Sequence, residues 1–379
     1  MHIALFYHSL LSDWNHGNAH FLRGYAAELI ARGHHVRIFE NQNNWSLDNL
    51  LRDHGKAGLE PFHRAYPKLR ATMYDPADLN LDAALDGVDL VIAHEWNDHD
   101  LIARLGQFRS PHPNTRLLFH DTHHRAVSQP EEMARYDLSR YDGALVFGGV
   151  LRDMYLTRGW VRNAWTWHEA ADTRVFRPLV HPPPSADVLW IGNWGDEERT
   201  QELDEFLIQP IKSLGLTATV HGVRYPDSAI AALRDANITY AGWLSNAAAP
   251  SVYAQHRLAI HVPRRYYTTI LPGIPTIRVF EALACGVPLI SAPWPDSEGL
   301  FQDGDFAQVP NGAEMTRTLR RLLDNPSERH AMASRGLRTI LARHTCAHRV
   351  DELMEICRSL GLDTAATVAP TRTSLGAAA

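Results

Sequence analysis

The chain has 379 residues, with 37 basic and 43 acidic side chains and a net charge of −6. That length exceeds one ordinary hydrophobic core and implies two domains, and the charge argues against a protein that grips nucleic acid by bulk electrostatics, leaving only a local basic groove open. No apolar run nears the roughly 20 residues of a membrane-spanning helix, and the opening Met1-His2-Ile3-Ala4-Leu5-Phe6-Tyr7 is too short for a signal peptide, so a cytoplasmic chain is expected, with peripheral membrane contact left open.

Short apolar runs alternate with amphipathic stretches through the first half, the pattern of βαβ units and a parallel sheet. Residues 3–7 are predicted as a first strand, 19–32 as a helix with Leu22, Ala26, Leu29 and Ile30 on one face, and 36–40 as a second strand. Residues 41–82 show no clear periodicity. Buried strands are predicted at 90–94, 116–120 and 143–147. A Pro-rich run at 181–184 reads as a linker, and strands resume at 188–192, 217–222, 238–241 and 259–262. Helices are expected over 314–323, 327–343 and 346–360, followed by a small, polar, disordered tail. The three cysteines, Cys285, Cys346 and Cys357, fall in or beside helical patterns and read as reduced thiols. With 22 histidines, a single His carries little information.

The most informative stretch is Thr276-Ile277-Arg278-Val279-Phe280-Glu281-Ala282-Leu283-Ala284-Cys285-Gly286-Val287-Pro288. It predicts a short helix from the capping Thr276 to the stop at Gly286, running into a strand. Glu281 sits inside that apolar helix, and a buried carboxylate needs a hydroxylated ligand or a buried Arg partner. The run resembles the Glu-Ala-x-Ala-x-Gly-x-Pro signature of group 1 glycosyltransferases of the GT-B fold, and its Arg-x-Phe-Glu-Ala form is nearest the spore-maturation CgeB-like branch. The segment from His168 to Pro178 is similar to the one that closes the first GT-B domain. The resemblance implies two doubly wound Rossmann-like α/β domains facing across a cleft. They would span residues 1–178, on the acceptor side, and 185–345, binding the nucleotide sugar; a helix at 346–361 would cross back to the first domain, and 362–379 would be the tail.

In such sheets ligands bind beyond the carboxyl ends of the strands, so the loops that follow strands matter most. After the first strand of the second half come Gly192, Asn193 and Arg199; Arg224 follows the second, and Gly242 with Trp243 the third. Thr276 and Arg278 stand at a helix start, where amides and the dipole favour an anion. The resemblance makes these residues, with Glu281, the donor site: Glu281 would hold the ribose hydroxyls, and the Gly242–Trp243 loop would cup the base. The competing reading of Glu281 is an internal ion pair with Arg278. In the first half, His94 and Asp121 end strands and are the expected catalytic pair. His94 would support the transferred sugar, and Asp121 would take the acceptor proton if the enzyme inverts or orient the acceptor if it retains. Asp13, His16, Gly17 and Asn18 of the first loop, with His120, are expected on the acceptor side. His120, His123 and His124 could instead ligate a metal, but no second cluster of ligand spacing accompanies them, and the family generally works without metal.

One departure stands out. Retaining group 1 enzymes commonly carry a second glutamate eight positions before the signature one, where this chain has Gly273. That leaves the sugar preference and the stereochemical outcome open, with backbone amides of the 273–276 turn as expected substitutes. The reading is a metal-independent glycosyltransferase that needs no cofactor, uses a nucleotide diphosphate sugar as substrate and acts on an acceptor hydroxyl or amine. A nucleotide-sugar epimerase of the same fold and a non-catalytic nucleotide-sugar-binding protein are the alternatives. Base, sugar, acceptor and oligomeric state are not given by the sequence.

Overall fold

A parallel strand covered by helices on both faces is an unbroken apolar run, and five of the six residues of β1 (His2–Tyr7) and all five of β4 (Leu90–His94) are buried. The computed structural model describes residues 1–180, 184–195 and 198–365. Residues 181–183 of the expected linker at 181–184, and the expected tail beyond 365, lie outside the described residues.

The first sheet adds β2 (His35–Asn41), β3 (Ala71–Tyr74), β5 (Arg116–Asp121), β6 (Gly143–Val146) and β7 (Ala164–Thr166), in the order β3-β2-β1-β4-β5-β6-β7. The second sheet holds β8 (Ala186–Ile191), β9 (Ala218–His221), β10 (Ile238–Tyr240), β11 (His256–His261), β12 (Leu289–Ser291) and β13 (Ala307–Gln308), in the order β10-β9-β8-β11-β12-β13. Every strand pair is parallel; β1 sets Ile3 beside both Val36 and Leu90, and β11 sets Ala259 beside both Leu189 and Leu289. Each sheet reverses its strand order once, between β1 and β4 and between β8 and β11. This is the doubly wound α/β arrangement, and those reversals open the crevices where ligands bind.

The region without clear periodicity contains the helix Trp45–His54, capped by the Asn44 side chain, and the edge strand β3, of which only Tyr74 is buried. An edge strand with one solvated face shows too short an apolar pattern to be told from a loop. The apolar core is continuous across the two halves: Ile3, Leu5 and Phe21 pack in one cluster with Leu189, Val279 and Leu283. The helix Cys346–Ser359 joins it: its Arg349 carbonyl accepts from the Trp167 indole N–H (2.8 Å) and its Ala347 carbonyl from Arg32 (2.9 Å), which follows the helix Ala19–Ala31. Beyond it, Leu362 still packs on this core. Among the described residues no helix is long and apolar enough to cross a membrane.

Candidate active site

Loops that follow the strands at the two reversals face each other across a cleft of about 770 Å³. His8, His16 and Trp96 come from the first sheet, Gly192, Arg199 and Arg264 from the second.

The second-half wall is built around Arg199, which is 8% exposed. Its NH1 donates to the Val262 carbonyl (2.6 Å) and its NH2 to the Asn193 carbonyl (2.5 Å), which fixes the guanidinium beside Trp190. Its Nε meets no acceptor, and among the described residues no carboxylate pairs with it. Burial first, and then the like charge of Arg264, push its pKa from the ordinary 12.5 down to about 10. Gly195, at φ +91, makes this possible: a Cβ there would stand 3.1 Å from the Arg199 Nε, in a backbone conformation that L side chains rarely adopt. Arg264 lies 3.1 Å from the Nε2 of His124 and 3.8 Å from a Glu198 oxygen. Arg224 also lines the cleft, held at φ +59; non-glycine residues in that region gather at functional sites.

The helix Ile277–Ala284 points its start into the same cleft without a side-chain cap. The Thr276 hydroxyl is directed elsewhere, to the Nε2 of His261 (3.0 Å). Ser291 donates its own proton to the Ala292 carbonyl (2.7 Å), so it accepts from His261 Nδ1 (2.9 Å), and His261 Nε2 is left to accept from Thr276. Burial, then Arg199, hold that imidazole neutral, with a pKa of about 3.

Glu281 does not line this cleft. It is fully buried; Arg278 donates to its Oε2 (2.5 Å) and His20 to its Oε1 (3.0 Å). The tautomer is set because the amide of Asp172 donates to His20 Nε2 (2.8 Å), which leaves the proton on Nδ1. Burial raises the Glu281 pKa, but the Arg278 charge and the two hydrogen bonds outweigh it and bring it below the ordinary value. In this conformation the carboxylate joins the two halves of the molecule. Gly242 lines neither the cleft nor the recess of about 50 Å³ behind it; Trp243 lines the recess but gives its indole proton to Asp13 (3.2 Å).

On the first-half wall, two buried charges shape the loop after β1. Arg23 donates to the carbonyls of Leu10 and Leu11 (2.8 and 3.0 Å), and Glu40 accepts from their amides (2.8 and 3.2 Å). His16, Gly17 and Asn18 thereby reach the cleft. Asp13 does not line the main cleft: it is bonded to Arg23 (2.7 Å) and to the Asn246 amide (3.1 Å).

Three expected positions change. His94, Asp121 and His120 are each 0% exposed and line no cavity in the cleft. His94 pairs with the Thr122 hydroxyl (3.0 Å), and Asp121 accepts from the Tyr155 hydroxyl (2.6 Å) and the His123 amide (2.9 Å). His120 sits among Phe21, Tyr25 and Trp167. The reason is strand alternation: successive residues of β5 point to opposite faces, each covered by a helix. Only the chain beyond the strand turns into the cleft, where it presents His123, His124 and Arg125. Gly273 also departs from expectation: at φ +86 its amide donates to the Pro295 carbonyl (2.7 Å) and is not left for a ligand. Among the described residues no group of three or more His, Cys, Asp or Glu is arranged to hold a metal ion.

Arg264, His261, Trp45 and Trp96 line the cleft but are not among the residues singled out from sequence. Position after a strand end was a usable signal for Arg264 and Trp96. Trp45 offered none, because it starts a helix inside the unassigned region.

Residues 199–355 match the model of a glycosyl transferase-like family. No curated protein matches the chain. Among solved structures the chain is similar to a sucrose-phosphate synthase from Thermosynechococcus elongatus, at 14% identity over 95% of this chain and 99% of that one, with a TM-score of 0.64. It is similar to an α-glucosyltransferase solved with UDP and DNA containing an HMU base, at 14% identity over 94% and 99%, with a TM-score of 0.70. An Anabaena protein, HepE, solved with UDP and glucose, aligns at 12% identity over 95% and 100%, with a TM-score of 0.65. The fold is the two-domain GT-B fold.

Proposed function

We propose that this chain transfers a sugar from a nucleoside diphosphate sugar to an acceptor hydroxyl or amine, as a metal-independent group 1 enzyme nearest the CgeB-like branch. The observation that carries the reading is Arg199, buried in the loop after β8 with an Nε that meets no acceptor and, among the described residues, no carboxylate at ion-pair distance. A buried cation without a counter-ion is expensive, and a diphosphate is the anion that fits a wall holding Arg199, Arg224, Arg264 and an uncapped helix start. The same fixed donors stabilise the leaving diphosphate as its charge develops, with no metal required. The glycosyl transferase-like match, which begins at Arg199, points the same way.

The acceptor approaches from the first-half wall. With His94 and Asp121 buried, His16 is the imidazole placed to handle its proton, since it lines both the cleft and the recess and precedes Gly17, where an added Cβ would stand 3.3 Å from the Arg278 guanidinium. In this reading residues 1–178 form the acceptor-side domain and 185–345 the donor domain, with the last helix returning to the first. The test is a thermal-shift screen of UDP-, GDP- and ADP-sugars, in which the true donor raises the melting temperature. A turnover assay follows. Nucleoside diphosphate released only with acceptor present is the expected result; donor interconversion without acceptor identifies an epimerase, and binding without turnover a non-catalytic protein.

A further inference from the structure

We infer, on the transferase reading above, that the acceptor is a neutral saccharide whose ring is received by an aromatic cup of Trp45, Trp96 and His8 on the first-half wall of the cleft. The His8 ring centre lies 5.1 Å from that of Trp45 and 6.0 Å from that of Trp96. Trp14 backs the cup, 6.1 Å from Trp45 and edge-on to it. All four residues line the cleft, and Trp45, 39% exposed, stands at its mouth. An indole left in water at the entrance of a cleft is a docking surface with an apolar face and a polar edge. The C–H face of a sugar ring matches it.

Polar groups around the cup fit hydroxyls. His8 is 8% exposed and its Nε2 has no partner; His16, 7% exposed, also has an unpartnered Nε2. Burial lowers the pKa of both, that of His8 to about 4, so they are neutral imidazoles that exchange hydrogen bonds with hydroxyl groups. Asn49, Ser128 and Gln129 extend the same uncharged lining. Charge in the cleft is segregated. Among the described residues that line it, Arg199, Arg224, Arg264 and Arg278 belong to the second half and Arg125 to the first. Arg125 is already engaged: it lies over Trp96 (4.5 Å), donates to the Glu95 carbonyl (3.0 Å) and Gln129 Oε1 (3.2 Å), and stands 3.5 Å from a Glu95 carboxylate oxygen. A nucleic-acid strand also stacks on aromatics but needs cations along its phosphates, and this wall offers none unengaged. An acyl chain would need continuous apolar lining, which His8, His16, Asn49 and Gln129 interrupt.

The test titrates the full chain with maltose, cellobiose and lactose, with a single-stranded oligothymidine and with a short-chain alkyl alcohol. Indole fluorescence is followed, and UDP affinity is measured on the same samples by calorimetry. Transfer from UDP-glucose to each probe is then measured. Expected are binding and transfer with at least one neutral disaccharide, and a tenfold or greater weakening of its Kd and KM in Trp45→Ala, with Trp45→Phe between the two. Trp45 is 39% exposed, and UDP binding by the variant reports whether its fold is kept. UDP binding accompanied by preference for the oligonucleotide or the alcohol, or by no saccharide binding, overturns this inference and leaves the donor reading standing. Unchanged saccharide binding in Trp45→Ala overturns it too. Failure to bind any nucleotide or nucleotide sugar overturns the donor reading, and the inference with it.

Discussion

Replacing Arg199 by methionine separates the two jobs that a buried guanidinium can have. The substitution keeps an unbranched stem of similar reach against Trp190 and removes the charge. On the apo protein two effects oppose each other. The carbonyls of Val262 and Asn193 lose their donors, at about 1–3 kcal/mol each if they stay dry. Against this, the folded state holds Arg199 at a pKa of about 10 in place of 12.5, a penalty on the charged form of about 3 kcal/mol that methionine does not bear. The apo protein should therefore unfold within about 3 kcal/mol of wild type in urea. Ligand binding has no such compensation. One charge-assisted bond to a diphosphate is worth about 1.5–3 kcal/mol, so the UDP Kd should rise roughly 10- to 150-fold. Calorimetry with UDP and denaturant titration of the apo protein measure the two terms apart. A variant that binds UDP within threefold of wild type refutes the reasoning, as does one that loses more than about 5 kcal/mol of apo stability, since Arg199 would then be a structural peg.

Glu281→Gln breaks a buried pair with Arg278 and should cost about 3–5 kcal/mol in denaturant unfolding. Because the folded carboxyl lies below the ordinary value, that stability is present above the ordinary pKa and is lost as pH falls through the folded one; an unchanged acid limb in the variant counts against it. Glu169 is buried with an unpartnered oxygen, and burial, then the Glu281 charge, raise its pKa to about 8. Between the ordinary 4.5 and about 8 the native state keeps a proton that the unfolded chain releases, so this group makes stability fall as pH rises through that window and level off above it. Glu169→Gln should match wild type near pH 5 and be the more stable protein at pH 9, and parallel melting curves across that range would contradict this. His16→Ala should lower kcat by roughly a hundredfold with UDP affinity within a few-fold, on the scale of ordinary acid–base contributions; near-normal turnover moves the role to His123. Turnover should survive EDTA, and loss restored by a divalent ion would return attention to His123 and His124.

The strands β1, β4, β8 and β9 were legible because both their faces are buried, and a run such as Leu90-Val91-Ile92-Ala93 has no other stable use. The helix of Glu281 was equally legible from Thr276 at its start and Gly286 at its stop. Position in loops after strand ends marked Gly192, Arg199, Arg224, Gly17 and Asn18, all of which line the cleft. What these local patterns do not contain is direction. His94 and Asp121 end strands as expected, yet a two-residue period sends each side chain to a helix-covered face, and whether a polar group at a strand end turns inward or into the cleft depends on the helix that packs there. That His20, 261 positions away, meets Glu281 at 3.0 Å with its proton on Nδ1 is not written in the local pattern around Glu281. Trp45 and His8 are distant in sequence and share one cup only because β2 lies beside β1. Composition and period are properties of a segment and can be read from it, whereas the partner of a buried charge is set by chain closure over hundreds of residues, and that is decided by the packing of the whole molecule.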